Sequence, residues 1–230
     1  MVRSLLGCED VELVAVNDIA SMETIAYLLA HSTEYGALGT SVSFDENASV
    51  LMIGDKAVKA FREADASALP WSELGVDLVL ECSGAYCSRA KAQAHIDAGA
   101  NKVLISAAAG SDVPTIVYGI NESILTDSDD IVSAASCSTV GLAPFAKALN
   151  DVAPIQQGIA TTIHALTPSQ MTLDDAQSKG NLRRSRTASE NIIPTTAAFA
   201  KAVGLVLPEL QGKLSGYAIR IPVTRGSLIT

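Results

Sequence analysis

The residues best suited to chemistry surround Cys137, in the stretch Ser-Ala-Ala-Ser-Cys-Ser-Thr-Val-Gly-Leu-Ala-Pro over 133–144. A β-branched strand end precedes it, and apolar residues such as Leu142 and Leu149 follow at helical spacing, so a helix is predicted to begin at the cysteine. Pro144 is expected within the first turns, where its missing N–H is not needed. The free N–H groups and the dipole of that helix favour a nucleophilic thiolate, although a small buried core cysteine suits the stretch equally well.

A second candidate lies in residues 161–170, Thr-Thr-Ile-His-Ala-Leu-Thr-Pro-Ser-Gln. Alternation around Ile163 predicts a strand that carries His164 near the end of a sheet, with Thr167 in the loop beyond it. A cysteine and a histidine that lie close together form an activated sulfur nucleophile and its acid/base partner. The chain has three histidines, and the spacing alone does not decide which of them pairs with Cys137.

Both stretches resemble the phosphorylating glyceraldehyde-3-phosphate dehydrogenase family. That family carries Ser-x-Ala-Ser-Cys-Thr-Thr-Asn before a helix and Thr-Thr-x-His-Ala-Tyr-Thr on a following strand. Collinear similarity also covers residues 77–84, 182–194 and 201–213. The chain is therefore identified as a member of this family over essentially its whole length.

The resemblance implies NAD-dependent oxidation of glyceraldehyde 3-phosphate to an acyl phosphate, with Cys137 as the nucleophile and His164 as its acid/base partner. Erythrose-4-phosphate dehydrogenase, a sibling with the same chemistry, stays open as an alternative. Without the resemblance, each arginine of the chain is as readily explained by a surface ion pair. The residues that match the family's phosphate ligands are Thr167 and Arg220 for the substrate, and Ser136, Ser138 and Arg184 for inorganic phosphate.

The predicted NAD site begins at Asp18, which follows a strand over 11–16. An acidic residue at this point of a dinucleotide-binding fold bonds the adenosine ribose and disfavours the 2′-phosphate of NADP. Taken alone, Asp18 is better explained as the cap of a helix over 20–31, whereas the resemblance favours the ribose contact. Each further cofactor position also suits an ordinary turn. The residues at these positions are Ser83, Gly84 and Ser106.

These elements predict an α/β fold, with a Rossmann-type parallel sheet over 1–136 and part of an α+β catalytic domain over 137–230. The run 76–80, apolar except for Asp77, is typical of a parallel strand buried on both faces, and alternation over 40–60 predicts hairpins. A further helix is predicted over 195–206. Compared with the family pattern, the sheet is expected to lack its first strand and glycine-rich turn, and the catalytic domain its last strands and closing helix.

Several positions depart from the family pattern. Val140 replaces an asparagine, and Ala197 and Ala198 replace a threonine and a glycine that bind phosphate in the family. Phe199 is expected to add bulk beside them. Loss of a hydrogen bond to a charged group costs about 1.5–3 kcal/mol, so weaker phosphate binding is expected. A non-catalytic relative retained for subunit interactions is therefore the second hypothesis.

Composition limits the partners and the compartment. The net charge of −9 disfavours nucleic acid as a general partner, and no apolar run is long enough to span a membrane. The four cysteines form neither a Cys-x-x-Cys pair nor a zinc spacing, so reduced thiols in the cytoplasm and no metal site are expected. The family resemblance implies a homo-oligomer, a tetramer in the family.

Overall fold

The computed structural model shows two compact units, which are described separately below. The structure describes residues 1–176, 181–196 and 198–230. The first unit comprises Met1–Tyr86 and Ala90–Val103, and the second comprises Cys87–Arg89 and Leu104–Thr230. The predicted mixture of helices and parallel strands is confirmed. The predicted functional division after Ser136 stays a prediction.

Helices and strands alternate along most of the described chain. Among the described residues, no helix has both the length and the apolarity to cross a bilayer. The α-helices are α1 (Val2–Leu5), α2 (Met22–Ala30), α3 (Trp71–Leu74), α4 (Arg89–Asp97), α5 (Cys137–Val152) and α6 (Phe199–Val206). The strands are β1 (Ala15–Asn17), β2 (His31–Ser32), β3 (Gly36–Ala37), β4 (Val42–Asp45), β5 (Val50–Ile53), β6 (Lys56–Phe61), β7 (Leu78–Glu81), β8 (Lys102–Ile105), β9 (Ile131–Ser133), β10 (Gly158–His164), β11 (Ile193–Thr196), β12 (Leu214–Arg220) and β13 (Ser227–Ile229).

The first unit is built on a four-stranded sheet in the order β1-β6-β5-β4. β1 and β6 are parallel, whereas β4, β5 and β6 pair antiparallel through tight turns, which confirms the predicted hairpins. Alternate residues of β5 and β6, among them Leu51 and Val58, are fully buried and pack with Met22 and Ala26 of α2. The sheet and α2 therefore share one core.

Strand β7 differs from its prediction. Val79 and Glu81 are buried, but Leu78 is 49% exposed and Leu80 is partly exposed. Burial on alternate residues means that only one face of β7 is fully covered, because successive side chains of a strand point to opposite faces. The expectation that this strand is buried on both faces is therefore wrong.

The second unit contains a four-stranded sheet in the order β11-β12-β10-β13. β10 and β12 are parallel over their whole length, from the pair Gly158–Leu214 to the pair His164–Arg220. α5 and α6 pack on one side of this sheet around a shared apolar core. The helix predicted from residue 195 starts later, because Thr195 belongs to β11 and pairs with β12.

Pro144 lies in the middle of α5, not within its first turns. Its missing N–H leaves the carbonyl of Val140 without an intrahelical donor, a cost that usually kinks or ends a helix. Val140 is exposed, so water can bond to its carbonyl. The helix continues because Leu142, Ala143 and Ala146 are buried in the core of the second unit.

We expect Gly216→Ala to destabilise the second unit, because an added Cβ would overlap the backbone carbonyl oxygen of Ala160 on the paired strand and approach Phe199. A backbone atom in a sheet cannot move away cheaply, so the free energy of unfolding should fall by about 1–3 kcal/mol. Urea unfolding measures this change. Gly141→Ala is the control: its Cβ meets only the flexible end of Ile229, so a change below about 1 kcal/mol is expected.

Candidate active site

Cys137 is the first residue of α5, as predicted, and its side chain is exposed. The hydroxyl of Ser136 caps the helix by accepting a hydrogen bond from the N–H of Thr139 at 3.2 Å. The two hydroxyl groups of Ser136 and Thr139 also lie 2.8 Å apart. The cap therefore holds Ser136 in place and leaves the thiol at the open, positive end of the helix dipole.

The residue that turns the chain into this helix is Ala135, which sequence reasoning did not identify. Its φ is 62°, a left-handed conformation that costs an ordinary residue about 1–2 kcal/mol. Ala135 is buried, and its N–H donates to the hydroxyl of Ser133, which in turn donates to the carbonyl of Ala107. Surrounding structure thus maintains a strained backbone two residues before Cys137.

His164 is the histidine that pairs with the thiol. It is the last residue of β10, as the alternation predicted, and it is buried. Its Nε2 lies 3.2 Å from the Sγ of Cys137, which is within hydrogen-bond distance for sulfur. The structure therefore forms the Cys–His pair that the spacing alone left open.

Arg220 lies beside the other ring nitrogen of His164, because the two residues are partners in the β10–β12 register. Its Nη1 is 2.7 Å from Nδ1 of His164 and donates to the carbonyl of Ala165 at 3.1 Å. The hydroxyl of Thr167 lies 3.5 Å from the same Nη1. One guanidinium group thus joins the imidazole to the loop that follows the strand.

The surroundings of His164 lower its pKa. Burial is the main cause, the carbonyl of Ala165 acts in the opposite sense, and the cations Arg220 and Arg184 lower the pKa further. The pKa of Arg220 is lowered as well, first by burial and then by Arg184, with a partial offset from Cys137. His164 is consequently neutral near neutral pH. Its Nδ1 lies 2.6 Å from the carbonyl of Ala165, which can only accept, so the imidazole carries its proton on Nδ1 and leaves Nε2 able to accept a proton from the thiol.

Arg184 and three hydroxyl groups extend the site. The hydroxyl of Ser169 lies 2.9 Å from that of Thr167 and accepts a hydrogen bond from Nη1 of Arg184 at 2.8 Å. Nε of Arg184 donates to the hydroxyl of Thr195. Sequence reasoning missed both Ser169 and Thr195. The signal for Ser169 was its position in the Thr-Pro-Ser-Gln loop, whereas Thr195 is brought to the site by the pairing of β11 with β12.

Neither Arg184 nor Arg220 forms an ion pair with a carboxylate within the described part of the chain. Gln170 adds a further donor, because this buried residue accepts from the N–H of Thr167 while its own amide N–H₂ has no partner among the described residues. Two cations and a free amide donor without a compensating anion suit a ligand with a phosphate group.

The departures from the family pattern lie in different surroundings. Phe199 is buried in the core of the second unit, so the expectation that it adds bulk to a phosphate pocket is wrong. Val140 is exposed, and Ala197 lies outside the described residues. Ala198 lines a cavity of about 300 Å³ together with Ser136 and Lys201. The lining of that cavity therefore includes a hydroxyl group and a cationic side chain, even though Ala198 supplies no polar group.

The first unit holds Asp18 at the end of β1, with an exposed side chain. Its Oδ1 accepts a hydrogen bond from the N–H of Ala20 at 2.9 Å. The cap of α2 is Ser21, whose hydroxyl accepts from Thr24. The explanation of Asp18 as the cap of this helix is therefore wrong, and the ribose contact of its exposed side chain stays a prediction.

Ser83 and Gly84 form an exposed turn directly after β7. The hydroxyl of Ser83 donates to the carboxylate of Glu81 and accepts from the N–H of Ala85. Gly84 has a φ of 77°, and a Cβ at this position would meet open space. Ser106, in the second unit, is an exposed residue directly after β8. The positive φ of Gly84 therefore requires a glycine in the turn after β7, and the open space beside Gly84 is free for a ligand.

Comparisons with known proteins agree with this arrangement. The family model described as "Glyceraldehyde 3-phosphate dehydrogenase, NAD binding domain" matches residues 1–89, and the corresponding C-terminal domain model matches residues 136–230. The glyceraldehyde-3-phosphate dehydrogenase of Clostridium pasteurianum is 46% identical over 226 residues, which cover 98% of this chain and 67% of that protein. The chain belongs to the glyceraldehyde-3-phosphate dehydrogenase family.

Other members of the glyceraldehyde-3-phosphate dehydrogenase family are similarly close. The enzyme of Lactobacillus delbrueckii subsp. bulgaricus is 50% identical over 220 residues, and that of Mycolicibacterium smegmatis is 48% identical over 220 residues. Each alignment covers 95% of this chain and 64% of the relative. The chain thus spans slightly less than two thirds of the length of these two relatives. Cys137 and His164 both fall within the region matched by the C-terminal domain of the family.

We expect Cys137 to be the first of the four thiols alkylated by iodoacetamide at neutral pH, because it alone lies at a helix N-terminus beside an imidazole. Peptide mass spectrometry reads the order of labelling. His164→Gln should slow its alkylation about tenfold or more, since the proton acceptor is lost, while His31→Gln should not. Faster labelling of Cys8 or Cys82, both exposed, would contradict a nucleophilic role.

The lowered pKa of His164 predicts a pH dependence of stability. Below a pH of about 6.5, the ordinary histidine value, the unfolded chain binds a proton that folded His164 does not. Stability should therefore fall as the pH decreases from about 6.5 through the folded pKa, and His164→Gln should remove this slope. In NMR titrations of the imidazole, Arg220→Gln should raise the His164 pKa, and Arg183→Gln should leave it unchanged.

Proposed function

We propose that the protein oxidises glyceraldehyde 3-phosphate to an acyl phosphate, with NAD as the hydride acceptor. The observation that carries this proposal is the contact of 3.2 Å between Cys137 Sγ and His164 Nε2, beside arginines with no carboxylate partner among the described residues. A thiol nucleophile, a neutral base and a cationic site for phosphate are the three features that oxidation of a phosphorylated aldehyde through a thioester needs.

The reaction begins when His164 takes the proton of the thiol and Cys137 attacks the aldehyde carbon. The C=O electron pair moves to oxygen, which receives the proton from His164 to give a hemithioacetal. His164 then takes this proton back as the C–H bond breaks, leaving a thioester. NAD, when bound, supplies the acceptor for the hydride. An oxygen of inorganic phosphate finally attacks the thioester, and the C–S bond breaks to release the acyl phosphate and the thiolate.

The phosphate group of the substrate is bound by Arg220 and Thr167 in this proposal. Both side chains already meet through the contact of 3.5 Å, and Ser169 links Thr167 to Arg184. A phosphate oxygen would give Arg220 a negatively charged acceptor in place of the neutral groups that it contacts now. This half-buried cation would then gain the counter-charge that the described part of the chain does not give it.

The attacking inorganic phosphate is assigned to Ser136, Ser138 and Arg184. Their settings differ, because Ser136 already caps α5 whereas the one contact of the Ser138 hydroxyl among the described residues is that of 3.9 Å with Cys137 Sγ. Ser138 is therefore the more available hydroxyl donor. Arg184 supplies the positive charge, since its Nη1 donates to a neutral hydroxyl and to no carboxylate in the described part of the chain.

The residues proposed to hold NAD fit the cofactor individually. Asp18 is an exposed carboxylate, which suits ribose hydroxyl groups and opposes a 2′-phosphate. The turn at Ser83 and Gly84 is exposed and has open space beside the glycine. Ser106 is exposed at the carboxyl end of β8, the end of a strand at which α/β sheets bind ligands.

We propose that the protein is a homo-oligomer in the cytoplasm. The family resemblance implies that this oligomer is a tetramer. One face of the β11-β12-β10-β13 sheet supports association, because its apolar residues are left open: Ile159 is 73% exposed, Tyr217 51% and Leu228 56%. The strand register places these three side chains on the same face. The four cysteines are free thiols, as expected in a reducing compartment.

The test of the reaction follows the absorbance of reduced NAD with glyceraldehyde 3-phosphate and phosphate as substrates. Cys137→Ser should abolish the reaction. Arg220→Gln should raise KM for the phosphorylated aldehyde about tenfold or more, because a lost hydrogen bond to a charged group costs about 1.5–3 kcal/mol. KM for unphosphorylated glyceraldehyde should hardly change, and Arg183→Gln should affect neither. An unmodified chain that forms no reduced NAD would contradict the proposed function.

Association through the open sheet face has its own test. Sedimentation velocity of the unmodified chain should show an oligomer, and Ile159→Lys should shift it to smaller species, because a charge would then have to be buried in an apolar contact. Tyr118→Lys is the matched control, since Tyr118 is exposed in the same unit but lies outside this sheet. A monomeric unmodified chain would exclude the proposed interface.

A further inference from the structure

The first unit contains a buried polar network that the proposed mechanism does not use. Trp71 Nε1 lies 3.1 Å from Nδ1 of His95, and Nε2 of His95 lies 3.2 Å from the carboxylate of Glu81. All three side chains are buried, with 5%, 5% and 4% exposure respectively. A buried polar network lowers stability unless every group in it has a hydrogen-bond partner. Its presence in the interior of the first unit therefore calls for a physical reason.

The direction of each hydrogen bond follows from the chemistry of the three groups. The indole of Trp71 can only donate, so Nδ1 of His95 must be the acceptor and carries no proton. A neutral imidazole then has its proton on Nε2, which donates to Glu81. The order of donation is therefore Trp71 to His95 to Glu81, and one tautomer of His95 is selected.

Glu81 is the acceptor at the end of this network and also the centre of the turn that follows β7. One of its oxygens accepts hydrogen bonds from the N–H of Ser83 at 2.7 Å, the N–H of Gly84 at 3.1 Å and the hydroxyl of Ser83. Burial opposes ionisation of this carboxyl, but the hydrogen bonds from His95 and Ser83 outweigh it, and the pKa of Glu81 is lowered. The carboxylate is thus ionised and saturated with donors.

The turn consequently presents acceptors to its surroundings. Both N–H groups and the hydroxyl proton of Ser83 are directed to Glu81, and one lone pair of that hydroxyl accepts from Ala85. What the exposed hydroxyl can still offer is its second lone pair. A ligand at this turn is therefore recognised through its own hydroxyl donors, as ribose has, and not through its phosphate oxygens.

We propose that Glu81 is a positioning residue for cofactor binding, held in one orientation by the ordered chain from Trp71 through His95, and that it sets the Ser83–Gly84 turn to accept hydrogen bonds from a ribose of NAD. This inference rests on the proposed function, because it takes the turn to be part of the NAD site. Glu81 itself does not touch the cofactor.

Glu81→Gln is the decisive substitution, because it reverses one hydrogen bond without changing the shape of the side chain. The amide N–H₂ of the new residue would face Nε2 of His95, which would then have to accept. The proton of His95 would move to Nδ1 and oppose the indole N–H of Trp71. Removing the indole donor with Trp71→Phe relieves this conflict. The double variant, Glu81→Gln with Trp71→Phe, should therefore recover the conformation of the Ser83–Gly84 turn.

The experiment is calorimetric titration of the full chain with NAD. Glu81→Gln should weaken binding about tenfold or more, which corresponds to about 1.4 kcal/mol. Trp71→Phe alone should change affinity by less than about threefold, and the double variant should lie within about threefold of Trp71→Phe. Glu73→Gln, an exposed glutamate of the same unit, controls for the loss of charge and should bind like the unmodified chain.

A second measurement reads the network directly. In ¹⁵N spectra of histidine-labelled protein, His95 should show an unprotonated Nδ1 and a protonated Nε2, and this pattern should change in Glu81→Gln but not in Glu73→Gln. Equal NAD affinity of Glu81→Gln and the unmodified chain would overturn the positioning role, as would a ¹⁵N spectrum with the proton on Nδ1. An unmodified chain that binds no NAD would instead overturn the cofactor assignment of the proposed function.

Discussion

The parallel pairing of β10 and β12 is the constraint on which the rest of the site depends. Its register ends at the pair His164–Arg220, so the sheet itself brings an imidazole and a guanidinium side by side. α5 packs on one side of this sheet and carries Cys137 in its first turn. A shift of one residue in this register would turn every side chain of a strand to the other face. The close approach of the strands at Gly216 is therefore a condition for the Cys–His contact.

The charge arrangement of the second unit follows from this packing. Arg220 and Arg184 are held by hydroxyl and carbonyl groups instead of carboxylates within the described residues. Both cations oppose protonation of His164, which keeps the imidazole neutral before a proton is transferred to it. The same uncompensated charge is what would attract a phosphorylated substrate. In the proposed function, the state of the base and the recognition of the substrate therefore depend on one set of cations.

Corrections to the expectations share a physical cause. Phe199 was expected in a phosphate pocket but is buried in the core, and α5 continues through Pro144 because its apolar face is packed. β7 is fully covered on only one face, since alternate residues of its apolar run are partly exposed. Local patterns state what a residue prefers, whereas long-range packing decides which preference is met.

The sequence by itself determined the family, the α/β class, the helix that begins at Cys137 and the strand that ends at His164, because these depend on motifs and periodicity along the chain. Only the tertiary structure decided which histidine meets the thiol, that Ser169 joins Thr167 and Arg184, and that Glu81 accepts from both His95 and the Ser83–Gly84 turn. The physical reason is that hydrogen bonds join residues far apart in sequence through strand register and helix packing. Spacing along the chain does not encode the direction in which a distant donor points.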